Sequence, residues 1–393
     1  EQLLATLSAN GSGADNLSSN VGIQLGTTDR NNNGNASANL RGLGSSSTLV
    51  LLNGRRIPAH GAKGNSVDLS WIPLGAVDRV EVLKDGASAI YGADAIGGVI
   101  NFISRNDYQG LQLGSFADVT EAGGGHMYRG QLTGGVGDID QDRYNLMLVL
   151  SADRQQKLAG DQRDFVNGFQ PDRGLAPDTT GTPFATQVPA AGSAISTAFT
   201  LPGSMQAYNR ANLLSFERAC DSIAGMSQYQ SSLWGSPGSA FGCAFDYGAS
   251  AVLIQPVQRL SLLTRGNFAL TEAHRLVTEF VGSRVEASKQ FEPYQITTSS
   301  AALANARYPV GAPYYQDLSA YVPGFNAQLP IAYRWRCNDC GGRTIDTRTD
   351  AYRALIGLEG LLFDSWDYRL GLSHAQSEAN STLGAGYFYT DGL

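Results

Sequence analysis

Two guanidiniums stand directly after a tight-turn signal: Asn53-Gly54 precedes Arg55-Arg56. Asn-Gly closes two-residue hairpins, so this pair is presented either to an anionic ligand or to solvent at a turn. His60 is grouped with them as a candidate ligand contact. A second set of chemistry-bearing residues is aromatic. Phe291, Tyr294, Tyr308, Tyr314, Tyr315, Tyr321, Phe325, Tyr333 and Trp335 crowd into one polar stretch. Such rings stack on sugars or flat chelates while the tyrosine hydroxyls hydrogen-bond; the plain alternative is that they pack the stretch on itself. Of these, Tyr294, Tyr314, Tyr315, Tyr321, Tyr333 and Trp335 are taken as candidate ligand contacts. Catalysis finds no support. The four histidines (His60, His126, His274 and His374) are scattered, and Gly123-Gly124-Gly125 lacks the lysine of a phosphate loop. The carboxylates form no acid–base pair, so no enzyme and no cofactor is expected.

The elements that position the arginines are short. Thr48–Leu52 is an apolar run of strand length. Val77–Lys84 alternates, with Val80 and Val82 on one face and Arg79 and Glu81 on the other. Asp85-Gly86 ends it, Ser88 to Tyr91 suffices for one helical turn, and Gly92 supplies the stop. Gly97-Gly98 then leads into the apolar strand Val99–Ile103.

The string from Val77 to Arg105, VDRVEVLKDGASAIYGADAIGGVINFISR, together with LRGLGSSSTLVLLNGRRI from Leu40 to Ile57, resembles the plug domain of TonB-dependent outer-membrane receptors. The resemblance is dense over about 65 residues and implies a β-barrel around that plug. It also implies capture of scarce nutrients outside the cell of a Gram-negative bacterium. Uptake in such proteins is driven by the TonB–ExbB–ExbD energising complex pulling on a short box ahead of the plug. No convincing box stands before Leu3-Leu4-Ala5-Thr6-Leu7, so energy coupling rests on the resemblance alone.

Composition agrees with such a protein. Glycine supplies 47 of 393 residues and charged residues only 16%, against roughly 7% and 25% in average chains. No run of 18 apolar residues offers a transmembrane helix. Residues 1–106 carry eight basic and eight acidic side chains, so the net charge of −7 lies beyond them. Nothing suggests a nucleic-acid surface.

Beyond Arg105 the sequence alternates in the manner of membrane strands, which run about ten residues with short turns on one side and long loops on the other. Seven segments qualify, at 111–119, 128–136, 144–151, 259–270, 276–288, 352–362 and 366–373. The fifth is the least clean, and its facing stays open. Connections at 138–142, 271–274 and 364–365 are tight, whereas 157–256 and 290–347 are long. Seven strands do not close in lipid, and a plug of about 100 residues needs the 22-stranded class with its plugged lumen. The expected fold is therefore a membrane β-barrel of the 22-stranded class, only about the first seven strands present, with an N-terminal α+β plug domain in the lumen. Its domains are 1–106 (plug) and 107–393 (the N-terminal part of the barrel), and the chain reads as part of a longer protein.

Loop membership orders the cysteines. Cys220 and Cys243 share the first long loop, Cys337 and Cys340 the second, which favours disulfides within each loop. The oxidising periplasm implied by the resemblance permits them. A zinc site at Cys337-x-x-Cys340 lacks a second close ligand pair. Polar contacts are expected to hold the plug in the lumen. Arg41, Arg79, Glu81 and Arg105 are the plug candidates, and the inward-facing Arg353, Glu359 and Arg369 the wall candidates.

The expected function is TonB-dependent uptake of a bulky nutrient, an oligosaccharide or peptide, to which the large aromatic loops tilt the choice. A siderophore–iron or cobalamin receptor is the first alternative. An assembly, secretion or signalling component that binds a surface protein partner is the second. Outer-membrane lipid is the expected surrounding in each case.

Overall fold

The computed structural model describes residues 36–62, 64–85, 87–166, 185–187, 190–200, 207–208, 211–212, 225–228, 243–296, 307–320, 322–363 and 365–387. The chain divides into two compact units, one of residues 1–158, 253–289 and 345–382, the other of 159–252, 290–344 and 383–393.

The first unit begins with a small mixed sheet. Its strands are β1 (Thr48–Leu52), β2 (Arg55–Arg56), β3 (Val77–Leu83) and β4 (Gly98–Ser104), in the order β2-β1-β4-β3. β1 runs parallel to β4, and both other pairings are antiparallel. Every residue of β1 is buried, which suits an unbroken apolar run covered on both faces. The β1–β2 hairpin closes with positive φ at both Asn53 (55°) and Gly54 (74°), the backbone that a two-residue primed turn requires. Between β3 and β4 lies α1 (Ser88–Tyr91), a single turn ended by Gly92 at φ 87°.

The same unit contains a seven-stranded meander. It comprises β5 (Gly110–Asp118), β6 (Met127–Val136), β7 (Tyr144–Gln155), β8 (Val257–Ala269), β9 (His274–Pro293), β10 (Gly342–Leu362) and β11 (Trp366–Leu383), each beside the next. The four pairings from β5 to β9 are antiparallel. Strands thus cover all seven alternating segments, and several run further toward the long connections. β10 begins at Gly342 rather than Tyr352, because Thr344, Asp346, Arg348 and Asp350 extend the ladder without adding to the apolar alternation.

β7 shows how the wall is built. Tyr144, Leu146, Leu148 and Leu150 point to the open face, while Asn145, Met147, Val149 and Ser151 are buried. Met147 and Val149, with Leu263 of β8 and Val281 of β9, pack against Val50, Leu52, Ile100, Phe102 and Trp71 of the small domain. The inner face of the wall therefore joins the core of the plug-like sheet, and the outer face leaves its leucines exposed. The facing of the fifth segment is resolved as well. Val277, Glu279, Val281, Val285 and Ala287 are buried, and Phe280 faces outward. Both faces of β9 carry apolar residues, which is why alternation alone does not orient it.

The second unit carries a small sheet of the short strands 185–187, 211–212, 295–296, 307–308 and 331–336. Its core is Ala194, Ile195, Leu318, Val322, Phe325 and Ile331, with Tyr308, Tyr315 and Tyr333 packed against it. Cys337 and Cys340 form a disulfide with their Cα atoms 5.2 Å apart. The expected Cys220–Cys243 pairing falls outside the described residues.

Candidate functional site

The β1–β2 hairpin tip reaches the wall through side chains that the primed turn presents. Asn53 Oδ1 accepts from the backbone N–H of Ser104 at 2.9 Å, and its Nδ2 donates to Glu279 of β9 at 2.5 Å. Gly54 N–H donates to Asn101 Oδ1 at 2.9 Å. Glu279 is 5% exposed and is the hub of the contact. One of its oxygens accepts from Arg353 of β10, and the other lies 3.5 Å from Arg265 Nη1 of β8. Arg353, 1% exposed, also donates to the backbone carbonyl of Arg56 at 2.9 Å. Arg265 donates to Ser104 Oγ at 2.9 Å. Two wall cations and one wall carboxylate thus grip the hairpin by its backbone and by Asn53. Buried charges tolerate such a place only when paired and hydrogen-bonded.

A second group adjoins the first. Arg55 lies 3.6 Å from Glu359 of β10, and Arg369 of β11 lies 3.1 Å from the same carboxylate. The Arg55 guanidinium occupies space that a side chain at Gly371 would fill, since a Cβ there would meet Nη1 at 2.0 Å. Both groups border one cavity of about 330 Å3, lined also by Arg79, Glu81 and Asn101.

A third contact involves His60, 1% exposed. Its Nδ1 accepts from Ala62 N–H at 3.3 Å, which leaves the ring proton on Nε2, 3.2 Å from Thr349 Oγ1 of β10. Next to it, Gly61 N–H donates to Ser377 Oγ of β11 at 3.1 Å. Asp68 closes the same domain from within, accepting from Ser70 N–H at 2.9 Å and from Ala36 N–H at 3.3 Å. Burial pushes its carboxyl up to about 6, and these hydrogen bonds only partly offset that rise.

The residues singled out in the sequence separate into distinct places. Arg353, Glu359 and Arg369 sit on the wall beside the hairpin, with Arg55 among them and His60 against β10. Arg56 instead pairs with Asp94 at 2.6 Å within the small domain. Arg41 pairs with Asp85, and Arg79 with Asp78 and Glu81, all on exposed plug surface. These cations meet nearer carboxylates of their own domain before they meet the wall. Arg105 lies over the ring of Tyr108, 5.4 Å from its centroid. Sequence reasoning missed Asn53, Ser104, Arg265 and Glu279. Arg265 stood on the polar face of the fourth segment, and an acid flanked by Val277 and Val281 in the fifth was the signal for Glu279.

In the second unit the aromatic residues mostly support one another. Tyr315 donates to the carbonyl of Leu329 at 2.8 Å, and Tyr308 meets Tyr333 edge-on at 6.5 Å. Tyr294 meets Tyr387 at 6.2 Å, Trp335 lies in the strand 331–336, and Tyr321 falls outside the described residues. Tyr314 is 83% exposed and is the ring most available to a ligand. Two cations that were not anticipated organise this unit. Arg336, fully buried, lies 4.0 Å from the centroid of Phe245 and donates to Tyr247 Oη. Arg343 pairs with Glu292 at 2.7 Å.

Residues 2–99 match the TonB-dependent Receptor Plug Domain family. The chain is 39% identical over 94 residues to the iron-regulated outer membrane virulence protein of Vibrio cholerae serotype O1, in two strains. That match covers 22% of this chain and 14% of the relative. Among solved structures, the siderophore receptor PirA from Pseudomonas aeruginosa overlaps 88% of this chain and 44% of its own, at 13% identity and a TM-score of 0.33. The siderophore receptor PiuA from Acinetobacter baumannii overlaps 91% and 43%, at 14% identity and a TM-score of 0.34. The chain thus spans less than half of these solved receptors. The family match thus assigns a TonB-dependent receptor plug domain to residues 2–99, and a meander of strands follows it.

Proposed function

We propose that this receptor takes up a ferric chelate across the outer membrane, its plug closing a 22-stranded barrel until TonB pulls the plug open. The observation that carries the gating role is the buried grip of Glu279, Arg353 and Arg265 on the β1–β2 hairpin. A plug seated by charge-assisted hydrogen bonds from buried wall groups resists leaving by thermal motion alone, because its departure strips those charged groups of hydrogen-bond partners. An external pull from the TonB–ExbB–ExbD complex fits that requirement. Iron is favoured over an oligosaccharide or peptide by the 39%-identical relative, whose name records regulation by iron. The aromatic loop also supports a bulky carbohydrate less than its composition did, since Tyr308, Tyr315 and Tyr333 are engaged in the core of the second unit.

The test is radiolabelled iron accumulation by a deletion strain complemented with the full-length gene, supplied with a panel of ferric chelates. Accumulation of one chelate that a protonophore abolishes is the expected result. Growth rescue confined to an oligosaccharide or peptide, with no chelate-dependent accumulation, would overturn the cargo. Accumulation indifferent to the protonophore would overturn the coupling.

A further inference from the structure

The charges around the hairpin do not balance. Glu279 is shared by Arg265 and Arg353, and Glu359 is shared by Arg55 and Arg369. Three of these guanidiniums, Arg55, Arg265 and Arg369, and both carboxylates line a cavity of about 330 Å3 between hairpin and wall, with Arg353 outside its lining. Arg79 and Glu81 line it as well, but they neutralise each other at 2.9 Å. Hydrogen-bonding capacity is in excess alongside charge. Arg55 Nη2 and Arg265 Nε are enclosed without a hydrogen-bond acceptor among the described residues. The side chain of Arg265 is nine-tenths buried.

Leaving a surplus positive charge in a partly desolvated space is unfavourable unless an anion joins it. Guanidiniums suit an oxyanion best, since their planar forks donate paired N–H groups to adjacent oxygens. We infer that this cavity binds a small inorganic oxyanion, of the sulfate or phosphate kind, which bridges the plug through Arg55 and the wall through Arg265 and Arg369. The anion completes the docking of the hairpin, so plug seating is linked to oxyanion concentration. The site lies among residues that hold the hairpin against the wall.

Calorimetric titration of the full-length receptor in detergent with sodium sulfate, at constant ionic strength maintained with chloride, tests this. Saturable binding of one sulfate per receptor is expected. Arg369→Gln removes one charge-assisted donor and should weaken binding by about tenfold or more. Arg369 is more than half exposed, so this change leaves the buried contacts intact. Glu359→Gln adds to the positive surplus and should tighten binding, which a purely structural role would not do. Arg41→Gln, in the exposed pair with Asp85, should leave the isotherm unchanged. No saturable heat with sulfate, an Arg369→Gln isotherm equal to that of the unmodified receptor, or no tightening by Glu359→Gln would overturn the inference.

Discussion

Glu279 serves Arg353, Arg265 and Asn53 from a position 5% exposed, so its loss leaves two cations without their counter-charge. Breaking a buried pair by removing one partner costs about 3–5 kcal/mol. Glu279→Ala should therefore lower the unfolding free energy by that order, seen as a lower denaturant midpoint. Asp94→Ala, which breaks the solvent-facing pair with Arg56, should cost about 1 kcal/mol at most. Urea titrations of both variants of the full receptor, followed by protease digestion of the plug, measure the contrast. Asp68 gives a pH dependence of opposite sign to the usual salt-bridged carboxylate. Its pKa rises from 3.8 to about 6 on folding, so the folded state binds the extra proton. The associated penalty, about 3 kcal/mol, is fully present above pH 6 and is relieved as pH falls from there toward 3.8. Asp68→Asn keeps the acceptor oxygen and removes the charge. It should raise the Tm at pH 7.5, and the gain over the unmodified receptor should shrink steadily as the buffer is taken to pH 4.5.

At the scale of elements, the loop around His60 docks on β11 by backbone approach rather than by side-chain packing. A Cβ at Gly61 would meet the carbonyl oxygen of Ser377 at 2.7 Å and the amide nitrogen of Ala379 at 2.8 Å. Neither of these backbone atoms can swing aside. Gly61→Ala should thus free the loop from the wall, seen as faster hydrogen exchange at residues 58–66 with exchange in β1 and β4 unchanged. Unaltered exchange in that loop would show that the docking does not depend on the close approach. The strands themselves were legible in the sequence wherever one face was consistently apolar, as in β7 with Leu146, Leu148 and Leu150. β9 was harder to orient, because its inner face carries Val277, Val281 and Val285 while its outer face carries Leu276 and Phe280. The short strands of the second unit, two to six residues long, leave no periodic signal at all.

For the whole molecule, the two faces of the wall answer to different solvents. Leu148 sits midway along β7 on the outer face, 40% exposed, whereas its neighbour Val149 is wholly buried against the plug. An arginine at the bilayer midplane of a β-barrel costs about 2–4 kcal/mol. Leu148→Arg should reduce the folded, heat-modifiable receptor recovered from outer membranes while leaving plug packing intact. Leu111→Arg, on the exposed strand β5 close to its start, should be milder because the cost falls toward the interface. Gel shifts of unheated membrane fractions distinguish the two. Accumulation of iron, abolished by a protonophore, is the matching expectation for function.

The sequence by itself pointed to a plug domain at the N-terminal end and to a meander of strands after it. Order and spacing in the plug strings, the period-two alternation and the unequal connection lengths are local properties, and each constrains a strand or turn without reference to distant residues. It also placed Arg353, Glu359 and Arg369 on the wall, since facing follows from alternation. Only the tertiary structure decided which charges meet. Asn53 and Glu279 are 226 residues apart, and Arg353 finds the carbonyl of Arg56 across 297. Pairing of that kind depends on how the hairpin enters the wall and which carboxylate lies nearest. That is why Arg41 and Arg79 went to partners within the plug, while the unforeseen Glu279 became the centre of the contact.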